Sequence, residues 1–215
     1  MIGAYEYLLK RTTGQHIDVS RLFIYYNARV KDDGSDENLE DSGCTVTSAI
    51  ESLEESGTCL ETIWPYIVKR VNKCPSDQAY QAATTNKIID ALQVKIDLHE
   101  MKSCLAQGFP FVFGLELYKS FDKGEKKGIV PMPKPSETSR ESHGRFDLIF
   151  IETINTNYFS HAMLAVGYSD MSKAFIVRNS WGADWVNSYI LEGRNCLIGI
   201  FCRVIKDIAI FHMNI

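Results

Sequence analysis

The sequence lacks the features that would point to a membrane, nucleic acid or a metal. No window approaches the ~18 consecutive apolar residues of a membrane span. The net charge is −4, which indicates no basic surface for nucleic acid or anionic lipid. The six cysteines contain no Cys-x-x-Cys pair, so the spacing of a zinc site is missing. We therefore expect no metal, no cofactor, no nucleic acid and no membrane as partners.

Cysteine is also too scarce for a disulfide-dense scaffold, which leaves the redox compartment open. The amino terminus, MIGAYEYLLKRTTGQ, does not have the pattern of a secretory signal, because Glu6 interrupts the region that should be apolar. The localisation therefore stays unknown. With 215 residues, 45% of them hydrophobic and 23% charged, the chain has the size and composition of one globular domain or of two lobes sharing a core.

The first half of the chain has helical periodicity. Four apolar residues of the first segment lie on one helical face, namely Ile2, Tyr5, Leu8 and Leu9. A second helical stretch is DVSRLFIYYNAR, and an acidic loop, KDDGSDENLEDSG, follows it. In the third segment, CTVTSAIESLEESG, Gly57 is the expected stop. Its predicted buried face consists of Val46, Ala49, Ile50 and Leu53.

The second half is rich in predicted strands. IIDALQVKIDL, FPFVFGLELY, HAMLAVGYSD and KAFIVRNSW have strand character, and HEMKSCLAQG is a short helix that Gly108 closes. GIVPMPKPSE is rich in proline and is predicted to be extended, outside any central strand. Helices followed by strands favour an α+β fold of two lobes. We place the helical lobe at residues 1–85 and the strand-rich lobe at residues 86–215.

One pair of residues in the second half suggests chemistry. His161 begins an apolar strand, and Asn179 ends the next one in Arg-Asn-Ser-Trp-Gly. A histidine beside a cysteine stabilises the thiolate and later protonates the leaving amine. An asparagine amide oxygen can orient that histidine without adding a charge, and Trp181 can cover their hydrogen bond. Gly182 allows the chain to pass close to the ring. Either residue alone is more often structural, but the set at this spacing favours a nucleophilic site.

The blocks SHAMLAVGYSD and FIVRNSWGADW resemble the histidine and asparagine blocks of the papain-like cysteine peptidases. The segments DSGCTVTSAIESLEESGTCLETIWPY, FPFVFGLELYKSF and GIVPMPKP are also similar to that family, in the style of its bacterial and archaeal members. The resemblance covers residues 3–137 and 160–185.

This resemblance implies a papain-like fold, with a helical lobe, a β-barrel-like lobe and a cleft between them. It implies hydrolysis of peptide bonds through a thioester, with His161 and Asn179 as catalytic residues and Trp181 and Gly182 in support. Peptides or proteins would be the substrates, and the protein would be a monomer. Cys44 and Ala162 would line the substrate pocket.

The family's nucleophile has no counterpart in the sequence. It is expected roughly 4–8 residues before Gly3, one to two helical turns upstream, and therefore before Met1. Cys44, Cys59 and Cys104 lie at the wrong positions to replace it. A chain without this thiol is predicted to be inactive, since losing the nucleophile removes several orders of magnitude of rate.

Two further segments depart from the family pattern. Residues 136–159 form an insert with an apolar run from Phe146 to Ile151, and residues 186–215 form a tail without the family's two glycines. One hypothesis is a translation with a truncated start and misjoined segments, which full-length transcript reads would test. An alternative is a pseudo-peptidase that binds peptides or proteins without cutting them. A purely structural domain would have no need of His161, Asn179 and Trp181 together.

Overall fold

The structure is a computed structural model that describes residues 1–122, 128–131, 133–137 and 160–180, together with the backbone of strands at 197–200 and 205–212. The chain forms two compact units, and the main division falls between Leu92 and Gln93. Helices dominate the first unit and strands the second, so the predicted α+β class is confirmed. Among the described residues, no helix is long and apolar enough to cross a membrane.

The described part of the first unit contains four α-helices and one short 3₁₀ helix at Val68–Arg70. The α-helices are α1 (Ile2–Thr13), α2 (Arg21–Asp33), α3 (Val46–Glu55) and α4 (Asp77–Ala83). The sequence patterns do not predict α4, because seven residues make less than two full turns and show little periodicity. Its buried residues, Ala79 and Ala83, belong to a core cluster that also contains Leu22 and Phe23 of α2 together with Cys59 and Trp64.

Helix α1 agrees with its sequence pattern. Tyr5, Leu8 and Leu9 are buried, as their spacing predicts. Gly14 ends the helix in the left-handed conformation with φ 74°, and its N–H donates to the Lys10 carbonyl.

Helix α3 begins at a cap that two segments build together. The Thr45 hydroxyl accepts a hydrogen bond from the Ser48 N–H at 2.7 Å, and Asp32 accepts one from the Thr45 N–H at 2.7 Å. The predicted buried face is partly wrong. Val46 and Ile50 are only half-buried, whereas the polar residues Ser48 and Ser52 are buried beside Ala49 and Leu53. The cap explains why Ser48 is buried, because the Ser48 hydroxyl also donates a hydrogen bond to Asp32.

Glu6 is a carboxylate on the buried face of α1, with 7% of its surface exposed. Its Oε1 accepts a hydrogen bond from the Val19 N–H at 3.2 Å and lies 3.9 Å from the Arg21 guanidinium. Arg21 also pairs with Asp18 at 3.1 Å and with Glu61 at 3.4 Å. Three carboxylates thus surround one guanidinium. Burial raises the pKa of Glu6, and Asp18 adds to the rise against the lowering effects of the Val19 N–H and Arg21.

Glu6→Gln is expected to change how the stability of the protein depends on pH. The folded protein binds the Glu6 proton more tightly than the unfolded chain, whose carboxyl has a pKa of 4.5. This contributes stability below pH 4.5, and the contribution is lost as the pH rises through the pKa of the folded state. Glutamine does not titrate, so the melting temperature of the variant minus that of the wild type should increase between about pH 4.5 and 7. Thermal unfolding at several pH values measures this difference. Glu55→Gln, at an exposed position on α3, is the control, and a difference that stays constant for Glu6→Gln would contradict the prediction.

Most residues of the second unit's sheet, whose strand order is β1-β7-β2-β4-β5-β6-β3, lie after Gln93; residues 90–92 of β1 and 211–212 of β7 are assigned to the first unit. The strands are β1 (Asp90–Gln93), β2 (Phe111–Glu116), β3 (Ile129–Val130), β4 (Ser160–Ser169), β5 (Ala174–Arg178), β6 (Leu197–Ile200) and β7 (Ile205–His212). Helix α5 (Leu98–Ala106) precedes β2, and a 3₁₀ helix, Lys119–Asp122, follows it. Gly108, with φ 82°, lies just beyond α5 where the sequence predicts its end.

Strand β4 lies at the centre of this sheet. It pairs antiparallel with β2, where His161 is opposite Leu115, and antiparallel with β5, where Leu164 is opposite Arg178. Strands β6 and β7, which come from the tail, pair with β5 and β2 respectively. The remainder of the tail and residues 138–159 of the insert lie outside the described residues.

A mainly apolar core covers the sheet. Its members are Val94, Met101, Cys104, Phe111, Phe113, Leu115, Leu117, Phe121, Val130, Met163, Ala165, Phe175 and Val177. They come from α5, the strands, the 3₁₀ helix after β2 and two connecting residues, Val94 and Leu117. Residues that lie next to this core on β4 and just after β5, including His161 and Asn179, are therefore held on a packed layer with little freedom to shift.

Candidate functional site

Neighbouring strands bring His161 and Asn179 together. Leu164 on β4 is opposite Arg178 on β5, and one further step of this register sets Asn179 opposite Met163. His161 is two residues from Met163, so it lies on the same face of β4. Residues in such a diagonal relation across an antiparallel pair are within reach of each other. The hairpin geometry therefore places both side chains at one end of the β4–β5 pair.

A buried hydrogen bond joins the two side chains. His161 Nε2 lies 2.7 Å from Asn179 Oδ1, and the two residues are 2% and 7% exposed. The Ser180 N–H also donates to Asn179 Oδ1, at 2.8 Å. An N–H requires an acceptor, so this second bond identifies the Asn179 atom that faces the histidine as the amide oxygen. The amide orientation is thereby determined by the backbone next to it.

The orientation of the amide determines the tautomer of the histidine. Since Oδ1 can only accept, His161 Nε2 must carry the hydrogen of the 2.7 Å bond. In the neutral ring Nδ1 is then the basic nitrogen, and any proton exchange with a reacting group takes place there. An asparagine does this without placing a second charge in a buried site. The pair can thus hold the imidazole at Nε2 and keep the ring in one tautomer.

Phe121 is a third member of the site that the sequence patterns do not reveal. Its ring meets the His161 ring edge to face, with centroids 6.4 Å apart and an interplanar angle of 85°. Phe121 is buried in the 3₁₀ helix Lys119–Asp122, 40 residues before His161 in the chain. Only the aromatic character of the segment after β2 could have suggested it. This contact restricts the rotation of the imidazole about the axis that the Asn179 bond leaves free.

Two predicted supporting residues, Trp181 and Gly182, lie outside the described residues, which end at Ser180 in this part of the chain. Cys44 is buried in the first unit just before α3, and Ala162 is half-buried on β4 opposite Gly114. Their assignment to a substrate pocket stays a prediction.

Three of the four described cysteines do not have the environment of a nucleophile. Cys44, Cys59 and Cys104 are buried, and only Cys74 is exposed. Burial is the largest cause that raises the pKa of Cys44 to about 12 and of Cys104 to about 11, and it also raises the pKa of Cys59. These three thiols are thus protonated near neutral pH. Within the described part of the chain no cluster of three or more histidine, cysteine or acidic side chains could hold a metal ion.

An α+β fold that carries a buried histidine–asparagine pair on neighbouring strands is typical of the thiol-dependent peptidases. Comparison with known proteins gives the family directly. The sequence profile of the papain family cysteine proteases matches residues 29–203. This chain belongs to the papain family of cysteine proteases, and the predicted papain-like fold is confirmed.

The relatives differ in length and in sequence identity to this chain. An uncharacterized peptidase C1-like protein of Acanthamoeba polyphaga mimivirus is 35% identical over 181 residues, which cover 79% of this chain and 51% of that protein. The chain thus spans about half the length of this curated relative. Xylellain, a cysteine protease from Xylella fastidiosa, superimposes with a TM-score of 0.77 at 27% identity, over all of this chain and 77% of its own. A cysteine protease of Carica candamarcensis, 20% identical with a TM-score of 0.64 over all of this chain and 86% of its own, shares the fold.

Proposed function

We propose that this protein takes part in the hydrolysis of peptide bonds in peptides or proteins by a cysteine thiolate, with His161 and Asn179 as its acid–base pair. The observation that carries the proposal is the hydrogen bond of 2.7 Å between His161 Nε2 and Asn179 Oδ1, whose direction the Ser180 N–H determines. The membership of the papain family supports it.

The reaction would proceed through an acyl-enzyme. The thiolate attacks the carbonyl carbon, and the imidazolium of His161 donates a proton from Nδ1 to the departing amine as the C–N bond breaks. A thioester remains. His161 then accepts a proton at Nδ1 from water, the resulting hydroxyl group joins the carbonyl carbon, and the C–S bond breaks to regenerate the thiolate. Asn179 keeps Nδ1 directed toward the reacting atoms throughout.

The nucleophile of the proposed reaction is none of Cys44, Cys59 and Cys104, because their thiols are buried and protonated. The resemblance to the family puts it roughly 4–8 residues before Gly3, at the start of the helix that α1 continues. A helix start favours a thiolate through its dipole. Without such a residue, we expect the 215-residue chain to leave peptides uncut.

A version of the protein extended at its amino terminus with a helix-forming segment that carries this cysteine tests the proposal. We expect the 215-residue chain to show only background release from a fluorogenic peptide, and the extended protein to release the fluorophore. Changing the added cysteine to serine should return the rate to background, with a loss of several orders of magnitude. Hydrolysis by the unextended chain, or equal rates for the cysteine and serine versions, would contradict the assignment.

The buried thiols also favour a second function, that of a peptide- or protein-binding module without cleavage. It would be supported if the extended and folded protein stays inactive while a peptidyl aldehyde or an extended peptide still binds. Isothermal titration calorimetry of such a peptide distinguishes this function from that of a purely structural domain, which should bind neither.

A further inference from the structure

The carboxylate of Glu137 accepts hydrogen bonds from two segments of the second unit. Its Oε1 accepts a hydrogen bond from the Ser120 N–H at 2.5 Å, and its Oε2 accepts one from the Lys134 N–H at 3.2 Å. A turn places it there, because the Glu137 N–H donates to the Lys134 carbonyl at 2.9 Å. Hydrogen bonds of backbone N–H groups to an ionised carboxylate are stronger than those to neutral oxygens.

The segment that Glu137 holds carries Phe121. Ser120 and Phe121 are both buried in the 3₁₀ helix Lys119–Asp122, and the Phe121 N–H donates to the Tyr118 carbonyl at 2.9 Å. A helix of four residues has too few internal hydrogen bonds to keep its position alone. The carboxylate of Glu137 supplies a bond at the residue next to Phe121. The position of the Phe121 ring therefore depends on an anchor 16 residues further along the chain.

The ring of Phe121 in turn limits the orientation of His161. The Asn179 bond fixes one nitrogen of the imidazole, at 2.7 Å, but the ring plane can still turn about that point. The edge-to-face contact, at 85° and 6.4 Å between centroids, opposes this turning. Geometry of this kind has a large effect on catalysis, since a displacement of 1 Å can cost about 100-fold in rate.

We propose that Glu137 is a positioning residue for His161, acting through the Ser120 N–H and the ring of Phe121. The proposal rests on the proposed function in so far as His161 is the acid–base group of the reaction. Glu137 lies at the start of the stretch that departs from the family pattern, so the sequence alone assigns it no role. A carboxylate suits this position, because two oxygens accept from two backbone N–H groups, whereas the glutamine amide has one acceptor.

Nuclear Overhauser effects between the Phe121 ring protons and the imidazole C–H protons of His161 measure the arrangement directly. We expect a clear effect in the wild-type chain, a weaker one in Glu137→Gln and none in Glu137→Ala. The imidazole C–H shifts of His161 should move in the same order, as the ring current of Phe121 is withdrawn. Glu100→Gln removes a carboxylate from α5 in the same unit, where its partner is Lys95 at 3.6 Å, and should retain the wild-type spectrum.

A wild-type effect and wild-type shifts in a folded Glu137→Ala variant would overturn the proposal. Should the alanine variant fail to fold, unchanged signals in folded Glu137→Gln would overturn it equally. The measurement needs neither substrate nor nucleophile. A protein that never cleaves peptides would thus refute the proposed function and leave this result standing, while in an active protein Glu137→Ala should lower kcat by about 10- to 100-fold with little change in KM.

Discussion

His161→Ala, made in the protein that carries the upstream cysteine, is expected to lower kcat/KM for a peptide by at least about 1000-fold. The imidazole both stabilises the thiolate and protonates the leaving amine, so its loss removes two contributions at once. No other described side chain has the same place at the end of β4 beside Asn179. Steady-state kinetics with a fluorogenic peptide measure the loss, and circular dichroism establishes that the variant is folded.

Two further variants test whether the loss of activity is specific to His161 and how much of it depends on the orientation of the imidazole. His99→Ala removes an exposed histidine from α5 and should leave kcat/KM unchanged. Asn179→Ala keeps the imidazole but frees its orientation, and we expect a smaller loss of about 100-fold. A His161→Ala variant that retained a tenth or more of the activity would rule out the acid–base role that we propose for His161.

Gly57→Ala is expected to destabilise the folded protein by about 3–5 kcal/mol. Gly57 has φ 73°, a left-handed conformation that disfavours any Cβ. An added Cβ would also overlap the Ala83 carbonyl oxygen and lie 2.8 Å from that of Asn86. These are backbone atoms of the last residue of α4 and of the turn after it, and they cannot rotate away as a side chain does. Since a whole domain is stable by only about 5–15 kcal/mol, urea denaturation should show a large shift of the midpoint.

Gly14→Ala is the matched control for this substitution. Gly14 has nearly the same φ, 74°, but an added Cβ there would meet nothing within 4 Å. Gly14→Ala should therefore lower the free energy of unfolding only by the cost of placing a Cβ in the left-handed conformation, about 1–2 kcal/mol. The difference between the two variants measures the close approach of the chain at Gly57. Equal losses for both would show that the packing of Gly57 against the turn contributes nothing.

Local patterns were sufficient for most elements of the fold. Helix α1 is predicted by its apolar spacing, and β4 and β5 by two apolar runs that follow one another in the sequence. These signals act within one helical turn or one hairpin, so neighbouring residues contain all the information. Helix α4 escaped prediction because it is too short for a periodic signal.

Burial was less predictable than secondary structure. Val46 and Ile50 were expected in the core but are half-buried, while Ser48 is buried because it joins the cap that Asp32 completes. The carboxylate of Glu6 is buried on the face of α1 that apolar spacing defines. In both cases a polar group lies inside because a distant segment supplies its partner, and no pattern within the helix reveals that segment.

The sequence by itself determined the α+β class, the papain-family resemblance and the pair of residues most suited to acid–base chemistry. His161 and Asn179 could be paired in advance because a hairpin of two short strands has a narrow range of registers. Only the tertiary structure decided which atom of each side chain faces the other, since this depends on the Ser180 N–H. It also decided that the Phe121 ring lies against the same imidazole and that Glu137 accepts a hydrogen bond from the residue next to Phe121. These residues come from separate segments, and the path of the chain through the packed core, which no local periodicity encodes, brings them together.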